Sequence, residues 1–290
     1  MQTATLNEIV PFVRYFHTVE ALSHFYKTPV IPYDHRIFFL RRGSCRIDLG
    51  GEEYTVSASD LVFIPSGKPY YLQGGDGELE MVAVNFDFFS DHAEQALPVP
   101  PDLQNLFRTE KQLECVTFSD APELSDYLVL HKQSKLLEIF RHMEEEVAGQ
   151  RLFFREHNSA FLKWILTHLA RTAQCGSDSS GQQLVEEVIA LVRECYAQPI
   201  TNAQIAAKLN YHPNYLNRVM LRYTNCTLHR YLVNYRFEQA MSLLMMTDLS
   251  VAEVAARSGF ADVSHFSRLF RQKTGQSPGK FRALQTNLIE

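Results

Sequence analysis

Thr201-Asn202-Ala203-Gln204-Ile205-Ala206-Ala207-Lys208-Leu209-Asn210-Tyr211 and Ser250-Val251-Ala252-Glu253-Val254-Ala255-Ala256-Arg257-Ser258-Gly259-Phe260 are two versions of one segment, 49 residues apart. A few residues on, Leu216-Asn217-Arg218-Val219-Met220 aligns with Phe266-Ser267-Arg268-Leu269-Phe270 at an offset of 50. A repeat at this period marks one supersecondary unit used twice. Each copy opens with a capping-box pattern, Thr201 with Gln204 and Ser250 with Glu253, in which a hydroxyl and a side chain three residues later satisfy each other's orphan backbone amides. Each first helix ends at a residue that tolerates a left-handed backbone, Asn210 or Gly259, and a second helix follows at Pro213 and near Val263. Short helix, tight turn, second helix is helix-turn-helix spacing.

In the second helices Leu216, Val219, Met220 and Tyr223, and Phe266, Leu269 and Phe270, fall on the inner side. Asn214, Asn217 and Arg218, and Ser264, Ser267, Arg268 and Arg271, fall on the outer side. Arginine pairs bidentately with guanine O6/N7 and asparagine with adenine N6/N7, so this outer face suits a DNA major groove. A solvated helix face would carry similar residues in one copy; two copies with arginine at equivalent positions favour DNA. Between the copies, 228–246 reads as one helix with Leu232, Tyr235, Ala240, Leu243 and Leu244 buried. About 20 residues at a 1.5 Å rise give roughly 30 Å, close to the ~34 Å of one DNA turn. Ser277 as N-cap and Pro278 at the first helical position start a terminal helix.

Outward from the repeat, Cys175-Gly176-Ser177-Asp178-Ser179-Ser180-Gly181-Gln182-Gln183 lacks an apolar anchor and reads as a linker. The expected division is 1–175, a linker over 176–183, and a helical domain over 184–290. The 290-residue length fits two domains, and 46% apolar content fits a packed core. The net charge of −5 is unevenly spread. Residues 183–290 hold twelve Lys and Arg against eight Asp and Glu, whereas 1–182 hold sixteen against twenty-five. A polyanion is therefore expected at the C-terminal end.

Before the linker, 36–88 reads as short, regularly spaced strands over 36–40, 44–49, 52–56, 60–65, 70–73 and 79–88, the pattern of a small β-sandwich or barrel. Gly50-Gly51 supplies a tight hairpin turn. Helical periodicity follows over 134–147 and 153–173, the second with the series Phe161/Ile165/Leu169 and Leu162/Leu166. This helix pair either completes one core or also packs against a second subunit. No apolar run is long enough for a membrane span and no secretory signal opens the chain, so a cytoplasmic protein is expected. Cys45, Cys115, Cys175, Cys195 and Cys226 form an odd set without a C-x-x-C pair, which fits reduced thiols rather than disulfides or structural zinc.

The residues over 184–284 resemble the AraC family of bacterial transcription regulators. Ile205-Ala206-Ala207, the block Val251-Ala252-Glu253-Val254-Ala255…Gly259-Phe260…Ser264-His265-Phe266-Ser267-Arg268-Leu269-Phe270, and Gly275-Gln276-Ser277-Pro278-Gly279-Lys280-Phe281-Arg282 look like that family's tandem helix-turn-helix domain. The resemblance implies base contacts by Asn214, Asn217 and Arg218, and by Val263, Ser264, Ser267 and Arg268, with Val263 packing on a thymine methyl. Asn210 and Asn225 stand where the family often has glycine. The N-terminal part is similar to the cupin-like barrel of sugar-responsive members through Phe39-Leu40-Arg41-Arg42-Gly43, Gly51-Glu52-Glu53-Tyr54 and Asp60-Leu61-Val62-Phe63-Ile64-Pro65-Ser66-Gly67-Lys68-Pro69-Tyr70-Tyr71. By position, Arg42, Tyr70 and Tyr71 are then implied as effector contacts.

The expected fold is α+β: an N-terminal cupin-like β-barrel with a helical dimerisation segment, then an all-α domain of two helix-turn-helix motifs joined by a long helix. The expected function is sequence-specific activation of transcription by a homodimer that binds double-stranded promoter half-sites, recruits RNA polymerase and responds to a small molecule, a sugar first. A small carboxylate with Arg42 as counter-ion, a protein partner, and a metal-dependent cupin enzyme fused to a DNA-binding domain are the alternatives. Against the enzyme, no H-x-H occurs, Tyr70 stands where the late histidine ligand would fall, and G-x-S-x-G is absent. His17, His24 and His35 are the one set of histidines considered for convergence. No catalytic residue, metal site or cofactor is expected.

Overall fold

The computed structural model describes residues 2–20, 28–73, 78–91, 99–112, 116–175 and 179–286. It divides into two compact units, Met1–Ser177 and Asp178–Glu290.

The first unit is built on twelve strands: β1 Gln2–Ala4, β2 Phe12–Val19, β3 Val30–Ile31, β4 His35–Arg42, β5 Ser44–Leu49, β6 Glu52–Ser57, β7 Leu61–Ile64, β8 Tyr70–Gln73, β9 Glu80–Asp87, β10 Asp102–Leu103, β11 Val116–Phe118 and β12 Leu128–Leu130. Ten of them form two five-stranded sheets, ordered β10-β3-β8-β5-β6 and β12-β7-β4-β9-β2, while β1 and β11 pair in parallel. Gly50 and Gly51, at φ 66° and 99°, close the β5–β6 hairpin.

Among the described residues the expected barrel is not closed: the two sheets share no strand pairing and are separate layers. The edge of β9 is taken by β2 and that of β7 by β12, two strands the sequence reading did not foresee, so the strands that would have to meet the other sheet are β2 and β12, and neither pairs with it. Ile37-Phe38-Phe39-Leu40 of β4 shows why the layers stack. The run lacks alternation and all four side chains are buried, as in a strand covered on both faces. Ile37 and Phe39 join Phe63, Val84, Phe140, Leu162 and Leu166 in one core, and Phe38 and Leu40 join Ile47, Val56, Tyr70 and Leu72 in the other.

The helical layer is α1 Leu137–Gly149 and α2 Phe154–Cys175, which lay Phe140, Met143, Leu162, Ile165, Leu166 and Leu169 on the first of these cores.

The second unit is helical: α3 Ser179–Cys195, α4 Asn202–Lys208, α5 Pro213–Thr224, α6 Leu228–Met246, α7 Val251–Arg257, α8 Val263–Thr274 and α9 Pro278–Thr286. The stretch read as a linker is helical from Ser179 onward. Gly181 is buried against the Tyr223 ring, where a Cβ would come within 2.6 Å of the phenol oxygen, and this packing anchors a turn that carries no apolar side chain of its own. Two cores fill the unit, one around α3, α4 and α5 and one around α7 and α8.

Candidate nucleic-acid interface and ligand cavity

Both capping boxes form. Thr201 Oγ1 accepts from Gln204 N while Thr201 N donates to Gln204 Oε1, and Ser250 and Glu253 repeat the exchange. The turns that follow hold Asn210 at φ 59° and Gly259 at φ 80°. Helix α5 is capped by His212, whose Nδ1 accepts from Asn214 N at 3.2 Å, and α8 by Asp262, which accepts from Ser264 N and His265 N. The Ser264 amide, followed by that of His265, holds the Asp262 carboxyl below the usual aspartate range.

Leu216, Val219 and Met220 of α5, and Phe266 and Phe270 of α8, are buried, which turns the opposite faces outward. Asn214, Arg218, Val263, Ser264, Arg268 and Arg271 are exposed, and Asn217 and Ser267 are half-buried. Asn217 also has a structural role. Its Oδ1 accepts from Leu228 N at 3.0 Å, tying α5 to the start of α6. This bond uses one of the two lone pairs of the Asn217 carbonyl oxygen. At the equivalent place in the second copy stands Pro278, which has no N–H, and Ser267 faces no such demand.

Two features of this face escaped the sequence reading. The rings of Tyr211 and Tyr215 stack at 5.5 Å and 21°, and the Arg218 guanidinium lies 5.7 Å from the centre of the Tyr215 ring. Two arginines brace the copies from behind. Arg236 of α6 donates to the carbonyls of Tyr196 and Gln198, and Arg282 of α9 donates to those of Leu244 and Leu249. The 19 residues of α6 span roughly 28 Å.

In the first unit a cavity of about 310 Å³ lies between the two sheets, walled by Tyr15, His17, Arg36, Phe38, Tyr70 and Asn85, with Pro100 and Pro101 beside them. Arg36 is buried and its donors reach Asp34 Oδ1 at 3.0 Å, Tyr70 Oη at 2.5 Å and Val99 O at 3.2 Å. Asn85 Nδ2 donates to the other oxygen of Asp34 at 3.1 Å. Burial opposes the Arg36 charge, but Tyr70 and Asp34 outweigh it and raise its pKa above the ordinary arginine value.

Of the three residues implied as effector contacts, Tyr70 alone lines this cavity. A register shift between Leu40 and Arg42 ends the regular alternation of β4, and Arg42 is exposed and paired with Glu78 at 3.2 Å. Tyr71 follows Tyr70 on a strand, so it points to the opposite face of the sheet. Arg36, Asp34 and Asn85 were missed; the signal that could have found them is the unbroken burial of β4, in which Arg36 shares the inner face of Phe38. His17 lines the cavity, whereas His35 accepts from Ser66 N through Nδ1, and His24 lies outside the described residues. Among the described residues no three His, Cys, Asp or Glu side chains are grouped to hold a metal ion, and no helix is long and apolar enough to cross a membrane.

A family profile described as "Helix-turn-helix domain" matches residues 205–284, spanning α4 to α9. The HTH-type transcriptional activator RhaS of Escherichia fergusonii is 24% identical over 251 residues, covering 86% of this chain and 84% of that protein. The Msm operon regulatory protein of Streptococcus mutans is 24% identical over 264 residues, covering 88% and 86%. The uncharacterized HTH-type transcriptional regulator YijO of Escherichia coli is 36% identical over 110 residues, covering 38% of this chain and 39% of that protein. These are names of regulators rather than enzymes, which sets aside the metal-dependent enzyme reading. The chain thus carries an AraC-type helix-turn-helix domain over 205–284 and, along most of its length, is similar to proteins named as transcription regulators.

Proposed function

We propose that the chain is a homodimeric transcription activator that reads promoter half-sites through two helix-turn-helix motifs, α4–α5 and α7–α8, and responds to a neutral polyhydroxy ligand, a sugar, in the cavity between its sheets. The observation that carries the DNA reading is the pair of matched outward faces on α5 and α8, separated by a helix about as long as one turn of DNA. Asn214, Arg218, Ser264, Ser267, Arg268 and Arg271 serve as DNA contacts, and Val263, 39% exposed, packs on a thymine methyl. RNA polymerase is the partner of the DNA-bound form, and Leu137 and Trp164, 43% and 46% exposed on α1 and α2, supply apolar area for the dimer.

The ligand class follows from the charge in the cavity. Arg36 already has its counter-ion in Asp34, so a carboxylate ligand would have to compete with a buried aspartate for the same cation. A neutral ligand meets no such penalty. Tyr70 accepts from Arg36 at the cavity wall, and Phe38, Tyr15 and Tyr70 bring aromatic rings that suit the apolar side of a sugar. Arg42, the anchor of the carboxylate alternative, is exposed, pairs with Glu78 and is not among the residues that wall the cavity.

The test is thermal unfolding of the full chain against panels of sugars, polyols and small carboxylates, with DNA affinity measured in parallel. A ligand at ~100 times its Kd stabilises by roughly 2.7 kcal/mol. A sugar that raises the melting temperature and changes DNA affinity supports the reading, because a ligand shifts an equilibrium only by its differential affinity for the two states. A carboxylate that does so in its place overturns the ligand class.

A further inference from the structure

The two recognition helices differ in what stands next to their equivalent arginines. In the second copy, Arg268 lies within electrostatic reach of the Asp262 carboxylate that caps the same helix. The residue equivalent to Asp262 in the first copy is His212, which brings no carboxylate to Arg218. There the guanidinium lies over the Tyr215 ring instead, and Tyr215 in turn stacks on Tyr211. Both tyrosines are exposed, at 36% and 42%, although the interior beneath them is filled by Leu216, Val219 and Met220. The corresponding pair in the second copy, Phe260 and His265, meets edge-on at 6.0 Å, and Phe260 is buried at 7%. The first copy therefore presents an aromatic stack outward where the second folds its aromatic inward.

We infer that Tyr215 is a specificity-determining positioning residue of the first recognition helix: its ring, backed by Tyr211, holds the Arg218 guanidinium in the orientation that pairs with a guanine edge. An arginine held against a ring has fewer rotamers to surrender when it forms two parallel hydrogen bonds, and its weak hydration lets it keep the ring contact while doing so. The inference rests on the reading of α5 as a recognition helix.

The experiment selects a binding site from a random DNA pool with the full chain, then measures affinity for that site and for each single-base variant. Tyr215→Leu, Tyr215→Phe, Arg218→Ala and the Tyr215→Leu/Arg218→Ala double variant are compared with the unaltered chain. Arg218→Ala lowers discrimination at one guanine by about tenfold or more. Tyr215→Leu lowers discrimination at the same base by about threefold to fivefold, Tyr215→Phe restores it, and in the Arg218→Ala background Tyr215→Leu changes nothing further. A Tyr215→Leu variant that weakens all sequences equally, or that keeps full discrimination at that base, overturns the inference while leaving α5 as a reader. If the unaltered chain selects no sequence, or if Arg218→Ala leaves every base preference intact, the reading of α5 fails, and the inference with it.

Discussion

Arg236 Nε donates to the carbonyl oxygen of Tyr196 at 2.8 Å, and that same oxygen occupies the space a side chain at Gly259 would need. A Cβ on Gly259 would come within 2.1 Å of it, at a residue already held at φ 80°. The end of α3, the middle of α6 and the turn between α7 and α8 thus meet at one atom. Arg236→Met is expected to destabilise the helical unit by about 2 kcal/mol, the scale for losing hydrogen bonds from a charged donor. Gly259→Ala is expected to cost at least as much, since both its backbone angle and its neighbour resist a side chain. Thermal unfolding followed by helical circular dichroism measures both; an unchanged melting temperature for Gly259→Ala would show that α7 and α8 can move away from α3 freely.

Arg268 is exposed on α8 at the position that repeats Arg218. Arg268→Ala is expected to relax preference at one base pair by about tenfold, with overall binding still falling steeply as salt rises. Equal loss on selected and random DNA would assign this arginine to phosphate.

In the cavity, Tyr70→Phe removes the hydroxyl that accepts from Arg36. The variant is expected to bind a sugar ligand about tenfold more weakly, the scale of one lost hydrogen bond in a buried site. Arg42→Ala is expected to leave ligand affinity unchanged, because its partner Glu78 is on the surface with it. Titration calorimetry on the full chain separates the two residues.

Asp60 is buried and accepts from Ser57 N and Ser57 Oγ, from Lys132 N, and pairs with His131. Burial pushes its carboxyl upward, but these hydrogen bonds outweigh it and hold the pKa below the ordinary aspartate value. A carboxyl whose folded pKa is lowered contributes stability that is complete above its unfolded pKa, about 3.9, and is lost as pH falls through the lower folded value. Asp60→Asn is expected to cost about 2 kcal/mol at neutral pH and to flatten the acid limb of the stability profile below about pH 4. Urea unfolding at a series of pH values checks it, and parallel profiles for both proteins would place the acid sensitivity elsewhere.

What the sequence made legible was local. Capping boxes, the Pro213 and Pro278 helix starts, the bounds of 228–246 and the Gly50-Gly51 turn depend on residues within a few positions of each other, and all are where the pattern put them. What it hid depended on distant partners. β2 and β12 are strands because β9 and β7 offer them an edge, and 128–130 carries no pattern strong enough to announce that. Arg36 reads as an ordinary strand arginine until Asp34, Tyr70 and Val99 are seen around it. The structural role of Asn217 was hidden because the amide that engages it belongs to Leu228, across a turn and on another helix. The placement of Tyr71 on the face opposite Tyr70 was legible, since strand alternation alone requires it.

Strand β4 has one remaining consequence. Its odd and even residues serve two clients: Arg36 and Phe38 wall the cavity, and Ile37 and Phe39 are the floor on which Phe140 rests, with the Phe39 and Phe140 rings stacked at 4.7 Å. Close-packed interiors yield little to compression. A molecule that nudges this strand from the cavity side therefore presses directly on α1, with no hinge or loop between the two to absorb the push.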